Sequence, residues 1–198
     1  MLSDRVRRWT EGLRAWAARV LGRLRISPNA LTVAGYLLHL PAMLALANGH
    51  MQWGGILIAV ASLFDALDGS VAREMRQTST FGAFLDSTLD RYTEGTIFLG
   101  LLVWYARNHA VTDTILVYVA VFGSVMVSYT RARAEGVGIA CKAGWFTRFE
   151  RVLLIVIGLL TKQVRLLLWA LAVLSHVTAA QRIVHVWRET RDKGQPSK

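Results

Sequence analysis

Six apolar runs, at about 29–48, 51–72, 80–105, 112–130, 146–161 and 164–187, take up most of this 198-residue chain, and only short polar segments part them. About 20 consecutive apolar residues suffice for a helix to cross a bilayer. The apolar residues gather into continuous runs rather than into the one-sided stripe of a surface helix. The chain is therefore expected to be an all-α integral membrane protein with six transmembrane helices. The fifth run is short, and the fourth and sixth contain polar residues, so five spans is the alternative count. One domain is expected, because a chain of 198 residues is too short for two independent cores.

The residues before the first run differ in character. Val6, Trp9, Leu13, Trp16, Val20 and Leu24 recur at spacings of three and four, with arginines between them. That pattern fits a helix lying in the membrane interface. The expected organisation is an amphipathic juxtamembrane helix over 1–27, a six-helix transmembrane domain over 28–188 and a polar tail over 189–198. Ser27-Pro28-Asn29 marks the first break, with Pro28 suited to the first turn of a new helix. A long basic stretch followed by several spans is not the pattern of a cleavable signal peptide. The single cysteine, Cys141, excludes an internal disulfide, and the five histidines lack zinc-type spacing. The longest connection is expected at 131–147, where three glycines suggest a shaped loop close to a ligand.

The formal charge is +10, but its distribution speaks for topology rather than nucleic acid. Of the 23 Lys and Arg, seven precede residue 28, two lie at 73–76, five at 131–151 and five from Arg182 onward. The opposite set of connections holds Arg107, Lys162 and Arg165, and Arg91 lies inside the third run. Basic residues favour the cytoplasmic side. Both termini are thus expected in the cytoplasm, in a multi-pass protein of the cell membrane with anionic lipid headgroups as neighbours. No nucleic-acid partner is expected.

Residues 65–90 read DALDGSVAREMRQTSTFGAFLDSTLD. Asp65 and Asp68 are three apart, Asp86 and Asp90 four apart, so each pair shares a helix face. A short turn at 76–79 makes the two helices antiparallel neighbours, and the pairs converge near the inner membrane surface. Each charged side chain inside a bilayer costs about 2.5–3.5 kcal/mol on insertion scales, and four carboxylates also repel one another. Arg73 and Arg91 neutralise part of that charge, while Glu94 adds to it. Acids in excess of bases form a site for hard cations. Magnesium takes one or two carboxylates together with phosphate oxygens and water, and two divalent ions clamp a phosphate undergoing in-line displacement. Gly69, one turn after Asp65, and Gly82, one turn before Asp86, leave room for a ligand on the acidic face, which Ala72 extends. The competing explanation is close helix packing for the small residues and a satisfied polar network for the acids.

This segment resembles the signature of the CDP-alcohol phosphatidyltransferases: D-x-x-D-G-x-x-A-R, eight residues, then G-x-x-x-D-x-x-x-D. It is met at Asp65, Asp68, Gly69, Ala72, Arg73, Gly82, Asp86 and Asp90 without departure. The resemblance implies transfer of a lipid phosphate group from a CDP-linked donor such as CDP-diacylglycerol to an alcohol, with release of CMP. It implies two divalent ions, Mg2+ or Mn2+, in the active site, and a homodimer. By that likeness Asp65, Asp68, Asp86 and Asp90 hold the metals, and Asp90 is also the general base. Gly69, Ala72, Arg73 and Gly82 border the cytidine diphosphate, as does the segment Pro28-Asn29-x-x-Thr32. The chemistry agrees, because the acceptor hydroxyl must lose a proton as it attacks the β-phosphorus and a nearby carboxylate can take it.

Arg131, Arg133, Arg151 and Arg182 fall at one membrane level and are expected to surround a phosphate on the acceptor with forked contacts. The alternative is that each is a positive-inside anchor, the reading given to Lys142, Arg148 and Arg188. Within the family, SYTRARAEG at 128–136, RFER at 148–151 and QR at 181–182 are similar to the bacterial phosphatidylinositol-phosphate synthases. That likeness implies inositol 1-phosphate as the acceptor, although Arg131 stands where a lysine is expected. Glycerol 3-phosphate, as used by phosphatidylglycerol-phosphate synthases, is the alternative. Two readings from other classes stay open: an ion-coupled transporter, which predicts acids spread through the membrane depth, and a lipid phosphatase using water.

Overall fold

The computed structural model describes residues 27–74 and 79–193, without the side chains of residues 28, 64, 66–74 and 192–193. Residues 1–26, which hold nearly all of the expected interfacial helix, lie outside the described residues, as do 75–78 and 194–198. The regular structure that is described consists of six α-helices: α1 (Pro28–Ala47), α2 (Met51–Glu74), α3 (Thr80–Arg107), α4 (Val111–Gly136), α5 (Arg148–Leu160) and α6 (Val164–Lys193).

Local chemistry sets the helix ends. Ser27 Oγ accepts the Ala30 N–H at 3.2 Å and Ser79 Oγ accepts the Gly82 N–H at 2.9 Å, capping α1 and α3. Thr147 and Glu150 form a capping box on α5, in which the Thr147 N–H donates to Glu150 Oε2 at 2.8 Å. Four C-termini close on a left-handed residue: Gly49, His109, Gly138 and Lys162, with φ of 82°, 54°, 80° and 60°. The α4 helix continues beyond the fourth apolar run to Gly136. Its last turns, RARAEG, hold good helix formers, and Arg131 Nε donates to Glu135 at 2.9 Å one turn on. The connection to α5 is correspondingly shorter than the expected 131–147. Similarly, α6 runs through Lys193, into the segment expected as a polar tail.

The helices pack as a closed ring in the order α1–α2–α5–α6–α4–α3, with α3 returning to α1. Close approach is visible where Gly100 of α3 meets α1: a Cβ there would lie 2.6 Å from the Met43 carbonyl oxygen. At the end marked by the turns at 48–50, 108–110 and 161–163, the ring is filled with apolar side chains from all six helices, including Leu46, Ile58, Leu101, Val117, Leu159 and Leu168. The other end is polar. There α3 and α5 face each other across the ring, and among the described residues their backbones do not pack directly.

Three stretches, Asn29–Ala47, Val111–Gly136 and Val164–Arg191, are long and apolar enough to cross a membrane by length and composition. Large apolar side chains point outward all around the ring, among them Leu44, Val60, Leu99, Ile115, Leu153 and Leu166. Such extensive apolar exposure marks a surface made for a partner or for lipid.

Candidate active site

The polar end of the ring assembles from the starts of α1, α3 and α5 and the ends of α2, α4 and α6. Asp65 from α2 and Asp90 from α3 meet at Arg148, which enters from α5. Arg148 Nη2 lies 2.8 Å from Asp90 Oδ1 and 3.5 Å from Asp65 Oδ2. Asp86, one turn before Asp90, lies within electrostatic reach of both acids. Arg91 Nη1 approaches Asp90 Oδ2 at 3.5 Å and donates to the Ser87 carbonyl at 2.7 Å. The α1 helix reaches the acids through Gly35, where any Cβ would collide with Asp65 Oδ1. One turn on, buried His39 places Nδ1 3.0 Å from the Gly35 carbonyl oxygen, and Asp65 lies within range of its ring.

One turn deeper in the ring lies a second ion pair. Glu94 of α3 receives Arg151 Nε at 2.7 Å and Nη2 at 3.1 Å, and its Oε1 also accepts the Ser124 hydroxyl at 2.6 Å. Arg151 is 2% exposed and Glu94 8%. Asp90 and Glu94 are one turn apart on α3, Arg148 and Arg151 one turn apart on α5. The two pairs therefore form successive rungs of a ladder between helices whose backbones stay apart.

The four arginines expected around an acceptor phosphate are not gathered into one ring. Arg151 and Arg182 are both buried, and Arg182 lies within electrostatic range of Arg151 and of Arg131. Arg182 donates through Nε to the Ala143 carbonyl at 3.0 Å and through Nη1 to the Val127 carbonyl. Arg131 and Arg133 are two residues apart on α4, about 200° around its axis, and so they diverge. Arg131 lines a cavity of 660 Å³ between α3 and α4 with Ser87, Arg91 and Ser128. Arg133 lines a separate groove of 290 Å³ with Met126, Arg182 and Val186, between α4 and α6.

The connection from α4 to α5 is folded onto α6 rather than hanging free. Ile139, Cys141 and Phe146 are buried. Gly144, at φ 102°, sits where a Cβ would lie 2.7 Å from Thr178 Cγ2, so the glycine is required by both conformation and space. The bond from Arg182 to Ala143 ties this loop to the site.

Of the residues expected to border the nucleotide, Gly82 and Asn29 adjoin: a Cβ on Gly82 would lie 3.1 Å from Asn29 Oδ1. Thr32 follows Asn29 on α1 by nearly one turn. The side chains of Asp68, Ala72, Arg73 and Pro28 lie outside the described residues, and Gly69 stands on α2 between Asp68 and Ala72. Arg148, expected to be an anchor, is instead drawn in between two of the aspartates. Glu94, noted only as added negative charge, is bound by an arginine from another helix. The signal for both was the matching one-turn spacing of Asp90 with Glu94 and of Arg148 with Arg151.

The donor set suits a hard divalent ion: Asp65, Asp86 and Asp90 offer only carboxylate oxygen. Arg148 supplies positive charge where those carboxylates converge. Among the described residues no three acids close to ligand distance of a common point, and the side chain of Asp68 lies outside that description.

A profile of the CDP-alcohol phosphatidyltransferase family matches residues 25–181. The chain belongs to that family and is a transferase. It is 32% identical to the archaetidylinositol phosphate synthase of Methanothermobacter thermautotrophicus, over 90% of this chain and 92% of that one. To the phosphatidylinositol phosphate synthase of Mycobacteroides abscessus it is 34% identical, over 84% and 80% of the two chains. Its fold is similar to that of phosphatidylinositol phosphate synthase of Mycobacterium tuberculosis solved with CDP-DAG bound, with a TM-score of 0.81 and 31% identity over 88% of this chain and 93% of that one. The same mycobacterial enzyme has been solved in complex with manganese and citrate.

Proposed function

We propose that this chain transfers the phosphatidyl group of a CDP-linked lipid to inositol 1-phosphate, releasing CMP, with divalent metal bound at Asp65, Asp68, Asp86 and Asp90. The observation that carries this reading is the convergence of Asp65, Asp86 and Asp90 at one end of the ring, next to buried, pre-oriented arginines. The printed names of the relatives and the bound CDP-DAG and manganese of the mycobacterial structures support it.

When bound, two divalent ions, Mg2+ or Mn2+, would supply charge stabilisation to the diphosphate as CMP is displaced from it. The remaining work falls to the chain. Pro28, Asn29, Thr32, Gly69, Ala72, Arg73 and Gly82 border the nucleotide, and the small residues leave space for it. Asp90 takes the proton of the acceptor hydroxyl. Arg151 and Arg182 hold the acceptor phosphate, with Arg131 at its rim; Arg133, which shares the α4–α6 groove with Arg182, is the more distant contributor. Each of the two buried guanidiniums has its Nε fixed by the protein, so it meets the phosphate with its orientation already set.

The clustering of these groups at one end of the ring argues against a transporter, whose acids would be spread through the membrane depth. All six helices then span the bilayer, with the polar end and both termini cytoplasmic, as the distribution of Lys and Arg favours. The enzyme works as a homodimer in the cell membrane, a reading that rests on the family resemblance.

The test is CMP release from CDP-DAG with inositol 1-phosphate, glycerol 3-phosphate, inositol or serine as acceptor. Release dependent on inositol 1-phosphate supports the proposal. Preference for glycerol 3-phosphate would move the enzyme to phosphatidylglycerol-phosphate synthesis. Equal release with no acceptor would make it a phosphatase.

A further inference from the structure

We infer that Glu94 is a positioning residue for acceptor recognition: it fixes the guanidinium of Arg151 so that its remaining N–H groups face the acceptor phosphate. The inference rests on the proposal that Arg151 contacts that phosphate.

A carboxylate next to an anion site is costly unless something else requires it. Glu94 lies midway along α3, where burial of a charge is expensive. Arg151 reaches it from α5, a helix that does not pack on α3, so the pair does not simply fill an existing helix contact. The geometry is side-on and uses Nε and Nη2, while Ser124 holds Glu94 Oε1 from α4. Among the described residues Nη1 takes no protein partner. Three helices thus converge to set the angle of one guanidinium.

The ladder gives this arrangement its purpose. The outer rung joins Arg148 to Asp90, the carboxylate that has to accept a proton, so that rung must loosen during reaction. The inner rung is buried, and nothing in the proposed reaction requires it to open. Glu94 and Asp90 are carried by one rigid helix, one turn apart. Fixing Arg151 to Glu94 therefore fixes the acceptor phosphate relative to the base. Supporting groups of this kind hold a binding residue within the small tolerance that catalysis needs.

A plain interhelical staple would predict lost stability with no selective kinetic effect. Glu94→Ala leaves a buried arginine unpaired and endangers folding, so Glu94→Gln is the informative variant: it keeps an acceptor oxygen and loses the charge. In the full-length enzyme, initial rates are measured with CDP-DAG and inositol 1-phosphate varied in turn, beside the melting temperature. Glu94→Gln is expected to raise the KM for inositol 1-phosphate about tenfold, with the KM for CDP-DAG little changed. The double swap Glu94→Arg with Arg151→Glu is expected to recover melting temperature but not acceptor KM. Recovery of acceptor KM by the swap would reduce the pair to a staple and overturn the inference. So would an unchanged acceptor KM in Glu94→Gln if Arg151→Ala raises it. If Arg151→Ala itself leaves the acceptor KM unchanged, the assignment of Arg151 fails, and the inference falls with it.

Discussion

Arg148 Nη2 lies 2.8 Å from Asp90 Oδ1, so the carboxylate proposed as general base is held by a cation from the opposite side of the ring. A carboxylate in such an ion pair is shielded from an incoming hydroxyl. Asp65 shares the same guanidinium at 3.5 Å, so Arg148 places positive charge where these carboxylates meet.

The first prediction concerns that charge. Excess EDTA should abolish CMP release, and magnesium or manganese should restore it. Full activity in chelator would remove the metal-dependent reading. Arg148→Ala should tighten manganese binding, measured by titration calorimetry, because it removes a competing cation. Unchanged affinity would show that the arginine does not compete.

Asp90→Asn should abolish turnover while leaving CDP-DAG binding largely intact, since it removes a base more than a ligand. Asp65→Asn and Asp68→Asn should weaken metal and donor binding as well. Near-normal turnover in Asp90→Asn would mean that another group takes the proton.

Arg182→Ala should raise the KM for inositol 1-phosphate by roughly 10- to 100-fold, the worth of one charge-assisted contact. It also frees the Ala143 and Val127 carbonyls, so a melting temperature should accompany the rates. Arg131→Lys should be milder, because it keeps the charge and loses the fork. Arg188→Ala, at an exposed position on α6, is the control. Equal behaviour of all three would mark these arginines as topology anchors.

Gly35→Ala should impair the enzyme without unfolding it. The added methyl meets Asp65 Oδ1 rather than backbone, so the side chain must swing away and the metal affinity should fall. A loss of activity that tracks lost folded protein, with metal binding unchanged in what remains, would contradict this.

The helices and the acids were legible in the sequence because both are local signals. An apolar run fixes a span to within a few residues, and the spacings of Asp65, Asp68, Asp86 and Asp90 fix their faces. Only α4 and α6 run well past their apolar runs, because helix-favouring charged residues continue them. What joins α3 to α5 was not legible. Glu94 and Arg151 are 57 residues apart, and no local pattern says which of many arginines crosses the ring. Sequence alone therefore leaves Arg148 among the anchors. The divergence of Arg131 from Arg133 is available in principle, since residues two apart on a helix point to nearly opposite sides. Grouping them by membrane level alone concealed it.

The notch at Gly100 has a consequence for synthesis. The α3 helix carries Asp86, Asp90, Arg91 and Glu94 between its start and its midpoint, which makes it a poor candidate for entering lipid unaided. Its second half fits against the Met43 carbonyl of α1 only because no side chain intervenes. The α1 helix is apolar and emerges earlier from the ribosome, so its docking surface is made before α3 arrives. Vectorial translation thus lets the hydrophobic helix escort the one that carries the chemistry.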